Sequence, residues 1–257
     1  MTSFEERVRN GGVTLGTFLN LGSALVSEVC ALRGFDSLLV DLKHGAGGKE
    51  GLVGHLLAGA AHDVPVLVRV ESAERVRVGH ALDLSVASVM YPRLNTPDEV
   101  TTAISHLWYP PRGDRSVASY NRAQRFGGDS KTKSDVNDES LCVVQIETFT
   151  TLSNVKDIAA TPGLDVLFVG PGDLSAAPGC PDNWSPRSIS RRSITWSRPA
   201  SSWATSTTSK VTSIATFASW PWRQTRRCCD APRRRPHVVR RGETDARDSV
   251  HFRSLTA

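Results

Sequence analysis

The feature that most constrains the fold is a regular alternation of apolar runs and helix-forming stretches over the first 185 of 257 residues. Six runs have the length and composition of buried strands: 13–19, 37–42, 64–70, 86–91, 141–147 and 165–169. The runs are apolar almost throughout, which is typical of parallel strands covered on both faces. Six successive β/α units predict an α/β protein and favour a (β/α)8 TIM barrel over an open sheet.

The chain changes character near residue 186. Residues 1–185 contain 16 Lys and Arg against 22 Asp and Glu, whereas residues 186–257 contain 15 against 4. The second part has one leucine, Leu255, and no clear helical or strand period. We therefore expect residues 1–185 to form the first six β/α units and residues 186–257 to form a basic tail rich in Ser, Arg and Trp, with strands seven and eight missing or scrambled.

Three interpretations of the tail stay open. The first interpretation is a shift of the reading frame, because Arg, Ser, Thr, Trp and Pro are common when GC-rich DNA is read out of frame. The small number of aliphatic residues also suits a disordered segment. A divergent tail is the second interpretation. A nucleic-acid-binding tail, acting through phosphate neutralisation and stacking, is the third, and we do not favour a nucleic-acid partner. Loss of the last two strands would leave unpaired edges on strands one and six, which predicts poor folding.

The remaining global features predict a cytoplasmic location. The segment 1–7 is polar and does not resemble a signal peptide, and no apolar run is long enough to span a membrane. The five cysteines follow no metal-ligand spacing, and we expect them to be reduced thiols.

Two carboxylates are predicted to converge at one end of the sheet. Glu147 ends the fifth apolar run, and Asp173 follows the sixth within the turn Gly170-Pro171-Gly172-Asp173. Paired carboxylates, with water and substrate oxygens at the other positions, suit a hard divalent cation such as Mg²⁺ or Mn²⁺.

Further polar residues stand at the carboxyl ends of the predicted strands. They are Asp41, Lys43, His44, Arg69, Arg93 and Gln145. Any one of them alone is more simply a loop residue or a cap. In a barrel, however, these strand ends form one rim, where active sites lie, so their coincidence favours a site.

Several segments in a fixed order carry a family resemblance over roughly residues 11–182. They are GTFLNLGSALVSEVCALRGFDSLLVDLKHG, VLVRVE, VMYPRLNTPDEV, YPPRGDRS, VVQIET and GLDVLFVGPGDLS. Together they resemble the HpcH/HpaI-type aldolases, which are class II, metal-dependent pyruvate aldolases on a (β/α)8 barrel of the phosphoenolpyruvate/pyruvate type.

The resemblance implies a role for each rim residue and a reaction. The roles are metal binding for Glu147 and Asp173, catalysis for His44, Asp41, Arg69 and Gln145, and substrate binding for Gly172, Asp173 and Ser175. The implied reaction is cleavage of a 4-hydroxy-2-oxo acid to pyruvate and an aldehyde with Mg²⁺, Mn²⁺ or Co²⁺, in the catabolism of aromatic or sugar acids. The family also implies a homo-oligomer, a hexamer.

Two residues depart from the family pattern, and two other functions stay open. Lys43 stands where the family usually has Glu, which reverses a charge near the metal, and Phe18 replaces a common Trp. A Schiff-base role for Lys43 is not favoured beside a pair of carboxylates. The alternatives are a citrate-lyase-like carbon–carbon lyase acting on an acyl-CoA, and an inactive truncated remnant.

Overall fold

The sheet is built from parallel strands that follow one another in chain order. A computed structural model describes residues 3–128 and 132–177 and the backbone of residues 213–215. The strands are β1 Gly16–Leu19, β2 Ser37–Asp41, β3 Val66–Arg69, β4 Ser88–Tyr91, β5 Leu141–Ile146, β6 Val166–Val169 and β7 Ser213–Ala215. The six predicted strands are confirmed, each one to three residues shorter than predicted, and their order is that of the first six units of a (β/α)8 barrel.

Helices separate most consecutive strands, as the alternation predicted. They are α1 Phe4–Arg9, α2 Ala24–Leu32, α3 Lys49–Ala60, α4 Arg75–Asp83, α5 Pro97–Leu107, α6 Lys133–Glu139, α7 Phe149–Ser153, α8 Val155–Ala159 and α9 Pro171–Ala176. The segment predicted as one long loop between β4 and β5 differs, because it contains a 3₁₀ turn at Arg122–Gly127 and helix α6. A capping box between Thr132 and Asp135 starts α6, since each side chain binds the other residue's backbone N–H. Within the described residues, no helix is long and apolar enough to cross a membrane.

The strands separate two apolar layers because successive side chains point to opposite faces. One layer packs against the helices and includes Val40, Val68 and Val89. The other fills the concave side of the sheet. Its buried members are Val8 of α1, Leu39, Leu67, Met90, Leu141, Val143, Val166 and Phe168.

The concave layer becomes polar at the carboxyl ends of the strands. Leu39 is followed two residues later by Asp41, Leu67 by Arg69, and Val143 by Gln145. These polar residues therefore share the inner face with the apolar layer beneath them. Asp41, Arg69 and Gln145 are each at least 93% buried, so their charges and amides need partners inside the protein.

The outer edge of β6 is occupied, contrary to our expectation of an unpaired edge. The backbone of Ser213–Ala215 pairs in parallel with Val166–Phe168. An exposed edge strand presents unpaired N–H and C=O groups, which an extended segment satisfies with little demand on its sequence. The rest of the predicted tail, residues 186–212 and 216–257, lies outside the described residues.

Helices α2 and α3 are joined by a buried polar contact. Ser27 Oγ lies 2.5 Å from His55 Nδ1, and both residues are almost fully buried. Burial lowers the pKa of His55 from its ordinary value of 6.5, because the charged imidazolium loses its hydration. The folded protein therefore favours the neutral imidazole.

This burial predicts a loss of stability in mild acid. Because the unfolded chain binds a proton at His55 more readily than the folded protein, this contribution is fully present above pH 6.5 and is lost as pH falls towards the lowered pKa. The slope is at most about 1.4 kcal/mol per pH unit for one proton. Urea denaturation between pH 7 and 5 measures it. His55→Gln should flatten the slope, whereas the exposed His80→Gln should leave it unchanged.

Candidate active site

A buried ion pair lies at the centre of the polar layer. Arg69 Nε donates to Asp41 Oδ1 at 2.8 Å, and Arg69 Nη2 donates to Asp41 Oδ2 at 2.5 Å. The Asp41 side chain is fully buried and that of Arg69 is 9% exposed. This two-point geometry fixes the plane of the guanidinium and leaves Nη1 directed elsewhere.

Asp41 also organises the loop that follows β2. Its Oδ1 accepts from the backbone N–H groups of Lys43, at 3.0 Å, and His44, at 3.2 Å. Asn20 Nδ2 donates to Oδ2 at 3.3 Å. Burial would raise the pKa of Asp41, but the hydrogen bonds and charge of Arg69 and the two backbone N–H groups hold it below its ordinary value of 3.8. Asp41 is therefore a permanent anion at neutral pH.

Arg69 also contacts β5 and β1. Its Nη1 donates to Gln145 Oε1 at 3.5 Å, and its guanidinium carbon lies 5.0 Å from the centre of the Phe18 ring. Phe18 in turn meets Phe168 edge-on, with ring centres 5.8 Å apart. The guanidinium therefore contacts the Phe18 ring, the Gln145 amide and the Asp41 carboxylate, and these contacts restrict its movement.

Glu147 and Asp173 come together, as the strand pattern predicted. Glu147 is 2% exposed, and its pKa is raised, first by burial and then by the adjacent Asp173 carboxyl group. Asp173 is exposed on the short helix α9. Two adjacent carboxylates repel one another, and a cation between them relieves that repulsion.

Lys43 brings a positive charge to Glu147. Its Nζ lies 3.1 Å from Glu147 Oε1 and 3.3 Å from Oε2, so the ammonium group spans both oxygens. The Glu147 side chain is 1% exposed and that of Lys43 is 15% exposed. The charge of Lys43 lowers the pKa of Glu147 and partly offsets its burial. The reversed charge at position 43 is visible in the sequence, whereas this ion pair is not.

The residues fit a divalent cation in chemical type. Glu147 and Asp173 provide the carboxylate oxygens that Mg²⁺ and Mn²⁺ prefer, and the ammonium of Lys43 acts as a stand-in that shows positive charge to be favourable here. Within the described residues, no group of three His, Cys, Asp or Glu side chains could hold a metal ion. Water and substrate oxygens would therefore have to complete the coordination.

The other residues singled out from the sequence lie around this centre in different ways. His44 is exposed on the rim, and Asp41 holds it by the backbone N–H rather than by the ring. Gly172 is exposed in α9, and Ser175 Oγ donates to the Gly172 carbonyl at 2.8 Å. Arg93 is exposed with a φ of 55°. Asn20 was not predicted as a site residue, although it directly follows β1 and thus carried the same sequence signal as the others.

The YPPRG segment lies away from this centre. The guanidinium carbon of Arg112 stacks 4.0 Å from the Trp108 ring centre, and its Nη1 pairs with Asp138. Arg115 pairs with Asp83 at the end of α4, 3.4 Å away. The segment therefore joins helices near the amino-terminal ends of the strands, a structural role.

A family model decides the affiliation of the chain. The model described as HpcH/HpaI aldolase/citrate lyase matches residues 14–211. The chain belongs to this family. The match includes every site residue and reaches past the segments that carried the resemblance in the sequence, into the basic tail.

The curated relatives of this family member are named aldolases. The chain is 34% identical to 2-keto-3-deoxy-L-rhamnonate aldolase of Escherichia coli over 73% of this chain and 71% of the relative. It is 40% identical to 2-dehydro-3,6-dideoxy-6-sulfogluconate aldolase of Pseudomonas putida over 64% of this chain and 65% of the relative. It is 36% identical to 4-hydroxy-2-oxovalerate aldolase of Novosphingobium aromaticivorans over 70% of this chain and 68% of the relative. The chain is thus a member of a family of carbon–carbon lyases.

Solved structures agree with the fold. An HpcH/HpaI aldolase/citrate lyase family protein from Burkholderia cenocepacia superposes with a TM-score of 0.67 at 34% identity, over 71% of this chain and 74% of that one. Citrate synthase SbnG superposes with a TM-score of 0.62 at 26% identity, over 73% and 72%.

Proposed function

We propose that this family member is a divalent-metal-dependent aldolase that cleaves a 4-hydroxy-2-oxo acid to pyruvate and an aldehyde. The observation that carries the proposal is the close approach of the exposed Asp173 to the buried Glu147. Mg²⁺ or Mn²⁺ is the proposed cation, and Co²⁺ also suits an oxygen-rich site. Cleavage leaves negative charge on the pyruvate enolate, which such a centre stabilises.

Glu147 and Asp173 would hold the cation, which when bound supplies Lewis-acid stabilisation of the charge that develops on the substrate's 2-keto oxygen. Arg69 offers a fixed positive group to the same oxygen, held in place by its two bonds to Asp41. Gln145 adds an amide group, whose Oε1 accepts a hydrogen bond from Arg69 Nη1. These rigid groups do not have to reorganise during the reaction.

His44 is the proposed base. It takes the proton from the 4-hydroxyl, the C3–C4 bond breaks to release the aldehyde, and the enolate is then protonated at C3 to give pyruvate. Imidazole suits this task because it exchanges protons near neutral pH. Asp41 acts on His44 through the backbone, by fixing the loop that carries it. The segment of α9 that contains Gly172, Asp173 and Ser175 is the proposed substrate-binding segment, and the backbone N–H groups of Gly172 and Asp173 are the proposed donors to the substrate carboxylate.

A second candidate function is a citrate-lyase-like reaction on an acyl-CoA. The family description includes citrate lyase, and the likeness to citrate synthase SbnG favours keeping this candidate. The two functions release different products. Pyruvate identifies the aldolase, and free or acylated coenzyme A identifies the alternative.

The test is release of pyruvate from 4-hydroxy-2-oxovalerate by the purified full chain, followed with lactate dehydrogenase. We expect turnover with Mn²⁺, loss with EDTA and recovery on adding Mn²⁺. Glu147→Gln and Asp173→Asn should each lower kcat/KM by about a hundredfold or more. Asp157→Asn, an exposed acid on α8, is the matched control and should keep full activity.

A properly folded chain that releases no pyruvate from any 4-hydroxy-2-oxo acid, with or without Mn²⁺, would contradict the proposal. Equal activity of Glu147→Gln and the parent would remove Glu147 from the site. Far-ultraviolet circular dichroism of each variant separates these results from misfolding.

A further inference from the structure

We infer that the Lys43 ammonium occupies the cation position at Glu147, so that a divalent cation binds only by displacing it and Lys43 keeps the divalent-cation affinity of this chain low. The inference rests on the proposed function in one respect, namely that Glu147 and Asp173 are the cation ligands. It concerns a residue to which neither the fold nor the proposed reaction assigns a role.

The Lys43 ammonium contacts both oxygens of a carboxylate that lies after a different strand. Lys43 follows β2 and Glu147 follows β5, yet Nζ reaches both carboxylate oxygens at 3.1 and 3.3 Å. Only 1% of the Glu147 side chain is exposed. The ammonium group is thus the positive charge that compensates a carboxylate removed from water.

A divalent cation and the Lys43 ammonium would approach the same two oxygens of Glu147. A Mg²⁺ ion lies about 2.0–2.1 Å from its ligand oxygens and keeps a near-octahedral shell. An ammonium group that spans both Glu147 oxygens stands on the side from which such an ion approaches the carboxylate. A divalent ion and an ammonium group at the same two oxygens would lie close together, and like charges repel strongly beside a carboxylate removed from water. The two cations therefore compete for Glu147.

Lys43 also lowers the net negative charge at Glu147 and Asp173. Asp41 and Arg69 neutralise one another in their own pair, so they contribute little net charge to the Glu147 centre. Glu147 and Asp173 bring two negative charges, and Lys43 removes one of them. A divalent ion therefore meets half the net charge that the two carboxylates alone would offer.

Displacement of Lys43 is physically accessible. The Lys43 side chain is 15% exposed at the open rim, and its four-carbon stem can turn the ammonium out into water. The site is therefore weak for divalent cations rather than closed to them. Arginine, which is bulkier and always charged, would oppose the cation at least as strongly.

Direct Mn²⁺ binding to the full chain tests the inference without any measurement of turnover. Isothermal titration calorimetry or the electron paramagnetic resonance signal of free Mn²⁺ gives Kd for the parent, Lys43→Gln and Lys43→Arg. We expect Lys43→Gln to bind Mn²⁺ about ten- to a hundredfold more tightly, the range in which groups around a metal site act. Lys43→Arg should bind Mn²⁺ as weakly as the parent does. Lys133→Gln, which removes an exposed lysine on α6, is the matched control and should also remain weak.

Thermal unfolding provides a second readout. Lys43→Gln leaves the Glu147 carboxylate without its counter-ion, so its Tm in EDTA should lie below that of the parent. Mn²⁺ should then raise the Tm of Lys43→Gln more than that of the parent, because a ligand stabilises the state that it binds. Glu147→Gln added to Lys43→Gln should abolish both effects.

The outcomes separate the inference from the proposed function. Equal Mn²⁺ affinity in parent and Lys43→Gln, lost in Glu147→Gln, would overturn the inference and leave the cation site intact. No Mn²⁺ binding in any folded variant would overturn both. Tighter binding in Lys43→Gln that survives Glu147→Gln would also overturn the inference, since the ion would then lie elsewhere.

Discussion

Arg69→Met lowers the free energy of unfolding by about 3–5 kcal/mol, the cost of leaving a buried charge without its partner. The Asp41 side chain is fully buried and receives both of its strongest hydrogen bonds from Arg69. Methionine fills much of the same volume but donates nothing. Urea denaturation at pH 7 with circular dichroism measures the loss.

The matched control is Arg77→Met. Arg77 pairs with Glu71 at 3.5 Å, but the side chains are 51% and 43% exposed. Water screens such a pair, so we expect a loss of about 0.5 kcal/mol or less. Equal losses of unfolding free energy in the two variants would show that the buried Arg69–Asp41 pair stabilises the protein no more than an exposed pair does.

The effect of Arg69→Met should depend on pH with a definite sign. The folded-state pKa of Asp41 lies below its ordinary value of 3.8, so the pair stabilises the protein at neutral pH and its contribution is lost as pH falls through that lowered value. Protonated Asp41 no longer requires a charged partner. The difference between parent and Arg69→Met should therefore shrink as the solution is acidified towards and below pH 3.8.

Much of the fold could be predicted from the sequence because the strands are continuous apolar runs. A run such as Val166–Val169 is buried in the parallel sheet and leaves little ambiguity. Helix α1 was not predicted, since six residues carry no clear period and Val8 is its one buried residue. Helix α6 was missed because it lies within a polar segment whose only signal is the capping box at Thr132.

The positions of the candidate site residues at the strand ends could be predicted from the sequence, but their contacts with one another could not. The carboxyl end of a strand is visible in the sequence, and Asp41, Glu147 and Asp173 were found in this way. The contact from Lys43 to Glu147 joins residues 104 positions apart, and it depends on the curvature that brings β2 towards β5. Sequence order carries no information on that distance.

The conformation of the Lys43–His44 loop depends on Gly45, which gives the second large prediction. Gly45 donates its N–H to the Asp41 carbonyl at 3.1 Å. A Cβ at this position would lie 2.2 Å from that same carbonyl oxygen, far inside van der Waals contact. The oxygen belongs to the backbone of β2 and cannot rotate away, so any side chain at position 45 must move the loop.

We expect Gly45→Ala to lower kcat/KM by about a hundredfold, the cost of displacing catalytic groups by about 1 Å. The free energy of unfolding should fall by about 1–3 kcal/mol from the clash. Both the pyruvate assay and urea denaturation apply. Because the loop carries Lys43 as well as His44, Mn²⁺ affinity should change in the same variant.

Gly51→Ala is the matched control for this variant. Gly51 lies in α3, and a Cβ there would meet no atom within 4 Å. Alanine in a helix is favoured over glycine by about 0.5–1 kcal/mol, so this variant should be slightly more stable and fully active. Equal kcat/KM and equal stability of Gly45→Ala and Gly51→Ala would show that the loop tolerates a side chain at position 45. The close contact with the Asp41 carbonyl would then not be what fixes His44 and Lys43 at the rim.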